Sequence, residues 1–87
     1  MQKRPKSDRI RALERGLDVV EYLSRHGQVT LADLRRETGL TNATLLRILA
    51  SLQHRNWVHR NIVEGRYELA HSLGSLLGEA ARAHPLA

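Results

Sequence analysis

Asn42, Thr44 and Arg47 stand close together in the run TNATLLRILASLQH, among small and aliphatic neighbours. An asparagine amide can make two hydrogen bonds to the edge of adenine, and a guanidinium can do the same to guanine. Hydroxyls such as those of Thr41 and Thr44 can donate to phosphate oxygens. Ala43 and Ala50 leave room for the backbone to come close to a groove floor. The chemistry open to these residue types is recognition by hydrogen bonding, with no bond made or broken. On a helix, Ala43, Arg47, Ala50 and His54 share one side, because they recur at i, i+4, i+7 and i+11. His54, at the far end, is placed to approach a phosphate. Leu46 lies on the flank of this face, where contact with a thymine methyl and partial burial at the core's edge are both open. The plainer alternative makes Thr41 a helix cap alone and Arg47 a solvated charge.

Little else in the chain suggests chemistry. The five histidines, His26, His54, His59, His71 and His84, do not fall at metal-ligand spacing on one helix face. Cysteine is absent, which removes thiolate metal sites and disulfides. No Ser-His-Asp order, phosphate-cradling glycine loop or inward carboxylate pair stands out. Glu14, Glu21 and Glu37 read as solvated helix charges. Neither catalysis nor a metal or cofactor is expected. With 14 Lys and Arg against 9 Asp and Glu, the formal charge is +5. That balance favours a polyanionic partner without identifying it. Lys3, Arg4, Lys6, Arg9, Arg11 and Arg15 face only Asp8 and Glu14 in the first fifteen positions. Residues 1–6 are read as a disordered basic arm. No apolar run approaches membrane-spanning length and no signal peptide opens the chain, so a cytoplasmic location is expected, with no membrane partner.

The elements that must hold the reading face follow from the pattern around it. Leu45, Ile48, Leu49 and Leu52 at i, i+3, i+4 and i+7 make the opposite, core-facing stripe of a helix from Asn42 to about Arg55. Gly39 suits the left-handed end of the preceding helix, and Thr41 suits the cap of the next. Together they spell a helix-turn-helix. Before it, a first helix capped by Ser7 or Asp8 is expected to run to about Arg25. Ile10, Leu13, Leu17, Val20 and Leu23 form its inner face, and His26-Gly27 ends it. Val29 fits a very short strand. Thr30 with Asp33 resembles a capping box with a shortened acid, opening a second helix over Leu31 to Thr38 with Leu31 and Leu34 inward.

After the third helix the apolar period changes from 3.6 to 2. Trp57 to Asn61 and Arg66 to Leu69 then read as two strands around a Glu64-Gly65 turn. Arg60, Asn61 and Arg66 on this hairpin are placed to touch DNA backbone or minor groove; ordinary strand-edge polarity is the other reading. Trp57 and Tyr67 are expected in packing, since two aromatics fall short of a base-stacking array. A last helix, capped by Ser72, carries Leu73, Leu76, Leu77, Ala80 and Ala81 in a stripe and stops at Ala83-His84-Pro85. Gly74 and Gly78 each weaken it by up to ~1 kcal/mol relative to alanine. Such a helix needs a partner surface. The expected fold is mainly α with a small β-hairpin: a winged helix-turn-helix, three helices and a wing, over residues 7–71. A linker helix and the end of the chain fill 72–87.

Four segments resemble the N-terminal DNA-binding domain of the isocitrate lyase regulator (IclR) family of bacterial transcription factors. They are ERGLDVVEYLSRHG, VTLADLRRETGL, TNATLLRILASLQHRNWV and GRYELAHSLGSL, so the resemblance runs from about Arg11 to Gly78. Gly39, Leu40, Thr44, Arg47, Leu49, Leu52, Tyr67 and Leu69 fall on the most characteristic positions, in register. Asn42 departs from the family, where a basic residue is common, and Asn56 stands where glycine usually precedes the aromatic. Ile62 and Val63 occupy a wing tip that is normally polar. The resemblance implies a repressor or activator whose C-terminal domain binds a small organic effector and contributes to oligomerisation. Nothing in this chain resembles that domain, so the chain is expected to be part of a longer protein.

The function expected is sequence-specific binding of double-stranded DNA. The recognition helix lies in the major groove, and the wing on flanking backbone or minor groove. The partner expected is a palindromic operator, bound by a homodimer formed through the first and last helices. The candidate DNA-binding residues are Thr41, Asn42, Ala43, Thr44, Leu46, Arg47, His54, Arg60, Asn61 and Arg66. Two alternatives stand beside it: a winged-helix protein-interaction module without DNA reading, and the appended domain of a regulatory enzyme.

Overall fold

The computed structural model describes residues 8–83. In chain order it holds α1 (Arg11–His26), β1 (Val29–Thr30), α2 (Leu31–Thr38), α3 (Asn42–His54), β2 (Val58–Asn61), β3 (Arg66–Leu69) and α4 (His71–Ala83). The expected winged helix-turn-helix is the fold observed. The basic arm of residues 1–6, the Ser7 cap and the His84-Pro85 stop lie outside the described residues.

Local chemistry sets the two junctions that matter most. At the start of α2 the Asp33 N–H donates to Thr30 Oγ1 (3.1 Å) and the Thr30 N–H donates to Asp33 Oδ2 (3.0 Å). Two of the orphan donors that every helix start exposes are thereby satisfied. At its other end Gly39 takes φ 73° and ψ 6°, and its N–H donates to the Arg35 carbonyl. That left-handed turn costs an L-residue energy and a glycine almost none. Thr41 then caps α3, accepting the Thr44 N–H at 3.3 Å.

The core lies between the helices and one face of the sheet. Val19 and Leu23 from α1, Leu34 from α2, and Leu45 and Leu49 from α3 meet Val29, Val58 and Tyr67 from the strands. Ile48 and Leu52 complete the α3 stripe as half-buried neighbours. The strands form one antiparallel sheet in the order β1-β3-β2, so the hairpin is joined by a third strand. Val29 faces Tyr67 across β1 and β3, while Val58 faces Leu69 across β2 and β3. The first strand of the hairpin starts at Val58 rather than Trp57.

Three expectations at the two ends of the fold need correction. Asp8 caps nothing: α1 starts at Arg11 with Ile10 at its cap and no side-chain hydrogen bond there. Of the inner face expected for α1, only Leu23 is fully buried. Ile10, Leu13 and Leu17 are exposed, and Val19 takes the central place. The helix is apolar on two adjacent sides, and the sheet selects the side that carries Val19 and Leu23. Ser72 is not a cap either. It sits inside the first turn of α4, where its hydroxyl donates to the Asn56 carbonyl. Leu73 is the one buried side chain of α4 among the described residues, and the remaining stripe (Leu76, Leu77) is exposed.

Candidate nucleic-acid interface

The residues singled out on α3 come together as a surface. Ala43, Arg47, Ala50 and His54 are all exposed on the side away from Leu45 and Leu49. The helix contains no acidic residue. Among the described residues the ion pairs are Arg9–Glu14, Arg25–Glu21 and Arg36–Asp33, so Arg47 has no carboxylate partner there. Its guanidinium is left to solvent or to a ligand. Leu46 is 46% exposed and lies outside the core cluster, so it is half covered at the flank of this face.

The start of α3 is more constrained than the sequence suggested. Thr41 uses its hydroxyl twice: it accepts the Thr44 N–H and donates to Thr44 Oγ1 at 3.1 Å. Its proton is therefore occupied, whereas that of Thr44 remains free to donate. Asn42 is held as well, since Arg35 Nη1 donates to Asn42 Oδ1 at 3.0 Å. Arg35 is absent from the sequence-based set. No periodicity links residues seven apart on different helices; only the Gly39 turn, which folds α3 back against the last turn of α2, brings them together.

The wing does not gather its three candidates. Arg60 pairs with Tyr67 across the hairpin and lies over that ring, 5.8 Å from its centroid, on the side of the sheet that faces the core. Asn61 and Arg66 face each other on the opposite side. Asn61 accepts the Glu64 N–H at 3.1 Å through its amide oxygen and so builds the wing turn. Gly65 follows at φ 67°, where a glycine relieves the strain of a tight turn. Arg66 remains exposed. Ile62 and Val63 stand almost fully in solvent at the tip, 83% and 94% exposed. Tyr67 is core as expected, while Trp57 is only half buried. With Leu13, Leu17, Val20, Ile48 and Leu52 it lines an open groove of about 540 Å³ between α1 and α3.

A helix-turn-helix whose second helix carries an arginine without a carboxylate partner among the described residues, braced by a three-stranded wing, is a DNA-binding domain of the winged-helix class. Comparison with known proteins narrows this. Residues 12–61 match the IclR helix-turn-helix domain, and the chain belongs to that family. The transcriptional repressor IclR of Escherichia coli (strain K12) is 32% identical over 57 residues, a match that covers 64% of this chain and 21% of the repressor. The crystal structure of an IclR transcriptional regulator from Alicyclobacillus acidocaldarius superposes with a TM-score of 0.83 at 28% identity, covering 88% of this chain and 32% of that one. A Zα domain of Carassius auratus PKZ, solved in complex with Z-DNA, shares the fold alone. Its TM-score is 0.65 at 21% identity, over 69% of this chain and 98% of that one. The match thus spans about a fifth of the length of the curated relatives. The two IclR proteins are named as transcriptional regulators. Among the described residues no helix is long and apolar enough to cross a membrane.

Proposed function

We propose that this domain reads double-stranded DNA sequence-specifically, with α3 in the major groove and the wing beside it on backbone or minor groove. The observation that carries the reading is Arg47, exposed and without a carboxylate partner among the described residues, on an acid-free helix between Ala43 and Ala50. Within that reading Asn42, Thr44 and Leu46 line the near end of the contact and His54 the far end. The free N–H groups at the start of α3 favour a phosphate there. In the wing, Arg66 is the strongest candidate for backbone contact. The basic arm of residues 1–6 adds affinity of a salt-dependent kind, with a log-log slope of roughly −0.9 for each phosphate neutralised.

The protein acts as a twofold dimer on a palindromic operator. Two exposed apolar strips support this, Leu13 and Leu17 on α1 and Leu76 and Leu77 on α4. Half-sites would then lie about 10 bp, or a multiple of that, apart. Regulation of transcription, as the relatives' names describe for them, is the role we infer, with a bacterial cytoplasm as its setting.

Selection of bound duplexes from a randomised pool, at low and near-physiological salt, tests this. An enriched palindrome is expected. No retention even at low salt would favour a protein-interaction module instead, a reading that the apolar wing tip at Ile62 and Val63 favours.

A further inference from the structure

Arg35 lies on α2, yet its side chain reaches the first residue of α3, donating to Asn42 Oδ1 at 3.0 Å. The direction of this bond is fixed by chemistry. A guanidinium has five donors and no acceptor, so the asparagine atom it faces must be the carbonyl oxygen. The amide nitrogen of Asn42 is consequently turned away from α2. Both side chains are exposed, and the bond joins the two helices of the motif across the Gly39 turn.

The result is a surface rich in donors. Asn42 offers an NH2, Arg35 its remaining N–H groups, and the start of α3 its free backbone N–H groups. Beside them the Thr41 and Thr44 hydroxyls are already bonded to each other. Bidentate pairing with adenine requires the same asparagine to accept from N6 while donating to N7. Cytosine likewise demands an acceptor. Guanine presents two acceptors, O6 and N7, side by side in the major groove. A free asparagine can turn both atoms to one adenine edge; this one, with its oxygen drawn toward Arg35 on α2 and its NH2 turned away, leads with a donor.

We infer that Arg35 is a positioning residue that orients the Asn42 amide, so that the base pair facing the start of α3 is read as guanine rather than adenine. The inference rests on α3 entering the major groove, and its test separates the two. Duplex selection is run on the 87-residue chain, on Arg35→Met, which keeps the aliphatic stem and helix propensity but removes the donors, on Asn42→Ala, and on the double variant. Circular dichroism checks that each variant folds.

The unsubstituted chain is expected to prefer guanine over adenine about tenfold at one position of each half-site, the scale of one good base contact. In Arg35→Met that position should shift to adenine, because the freed amide can turn its oxygen and its NH2 to the same base edge. Asn42→Ala should erase the preference there, alone and with Arg35→Met. Uniform weakening of Arg35→Met on all sequences, with base preference unchanged and the salt slope reduced by about one contact, would make Arg35 a phosphate ligand and overturn the inference alone. Absence of any enriched sequence for the unsubstituted chain would overturn both this inference and the major-groove reading on which it depends.

Discussion

Arg47 owes its standing to what is missing around it. Among the described residues the carboxylates that neutralise arginines sit beside α1 and α2, none of them on α3. Arg47→Ala is expected to cost ~1–3 kcal/mol of binding and to relax preference at one base position, measured by titration on matched and single-substituted duplexes. Loss of the same size on every duplex would make the contact a phosphate. Asn56 is the other residue whose individual chemistry decides something. It holds φ 60° between α3 and β2, the one non-glycine at positive φ among the described residues. Glycine removes the left-handed penalty, ~1–2 kcal/mol for most L-residues and less for asparagine, but it also gains freedom in the unfolded chain. Asn56→Gly should therefore change unfolding free energy by less than about 1 kcal/mol, whereas Asn56→Val should lose about 2 kcal/mol in urea titration. Equal stability of both variants would show that the turn relaxes.

Elements were legible from sequence where a local signal stood alone. The capping box of α2, the Gly39 turn, the Thr41 cap and the core stripe of α3 all came from short-range chemistry, and each appears in the fold. Two kinds of fact escaped. The buried side of α1 could not be chosen, because Leu13 and Leu17 lie on one apolar side and Val19 and Leu23 on another, and only the sheet decides between them. The partners of side chains across turns, Arg35 with Asn42 and Ser72 with the Asn56 carbonyl, leave no periodic trace either. The same division holds for the candidate site: the α3 face was readable as a pattern, the occupied hydrogen bonds within it were not. The capping box also carries a pH dependence. Asp33 is held below its ordinary value of 3.8, chiefly by the Thr30 backbone N–H and then by the Thr30 side chain, with Arg36 assisting. A lowered folded value means that this stabilisation is complete above the ordinary value and disappears as pH falls through the folded one. Thermal midpoints followed from pH 6 down to 2 should fall less for Asp33→Asn than for the unsubstituted chain below about pH 4. Parallel curves would remove Asp33 from the acid response.

The domain leaves more apolar surface open than its own core requires. α1 turns Leu13 and Leu17 outward, α4 turns Leu76 and Leu77 outward, and α4 is tied to the body by Leu73 and one hydroxyl bond. Burying a leucine completely is worth ~1.5–3 kcal/mol, and these four are already about half covered, so each gains roughly 1 kcal/mol in an interface. Two copies would together gain on the order of 8 kcal/mol, against an association cost of ~4–15 kcal/mol. The balance predicts a dimer too weak to persist at low micromolar concentration, one that a palindromic duplex assembles by holding two copies side by side. Sedimentation should show monomer for the chain alone and two copies on a palindrome. Leu17→Glu, a change at an exposed position, should leave binding to a single half-site intact while abolishing cooperative binding to the palindrome. If cooperativity survives Leu17→Glu but is lost in Leu77→Glu, α4 alone makes the contact and α1 serves another surface. If it survives both, neither helix joins the copies, and the interface lies outside the apolar strips.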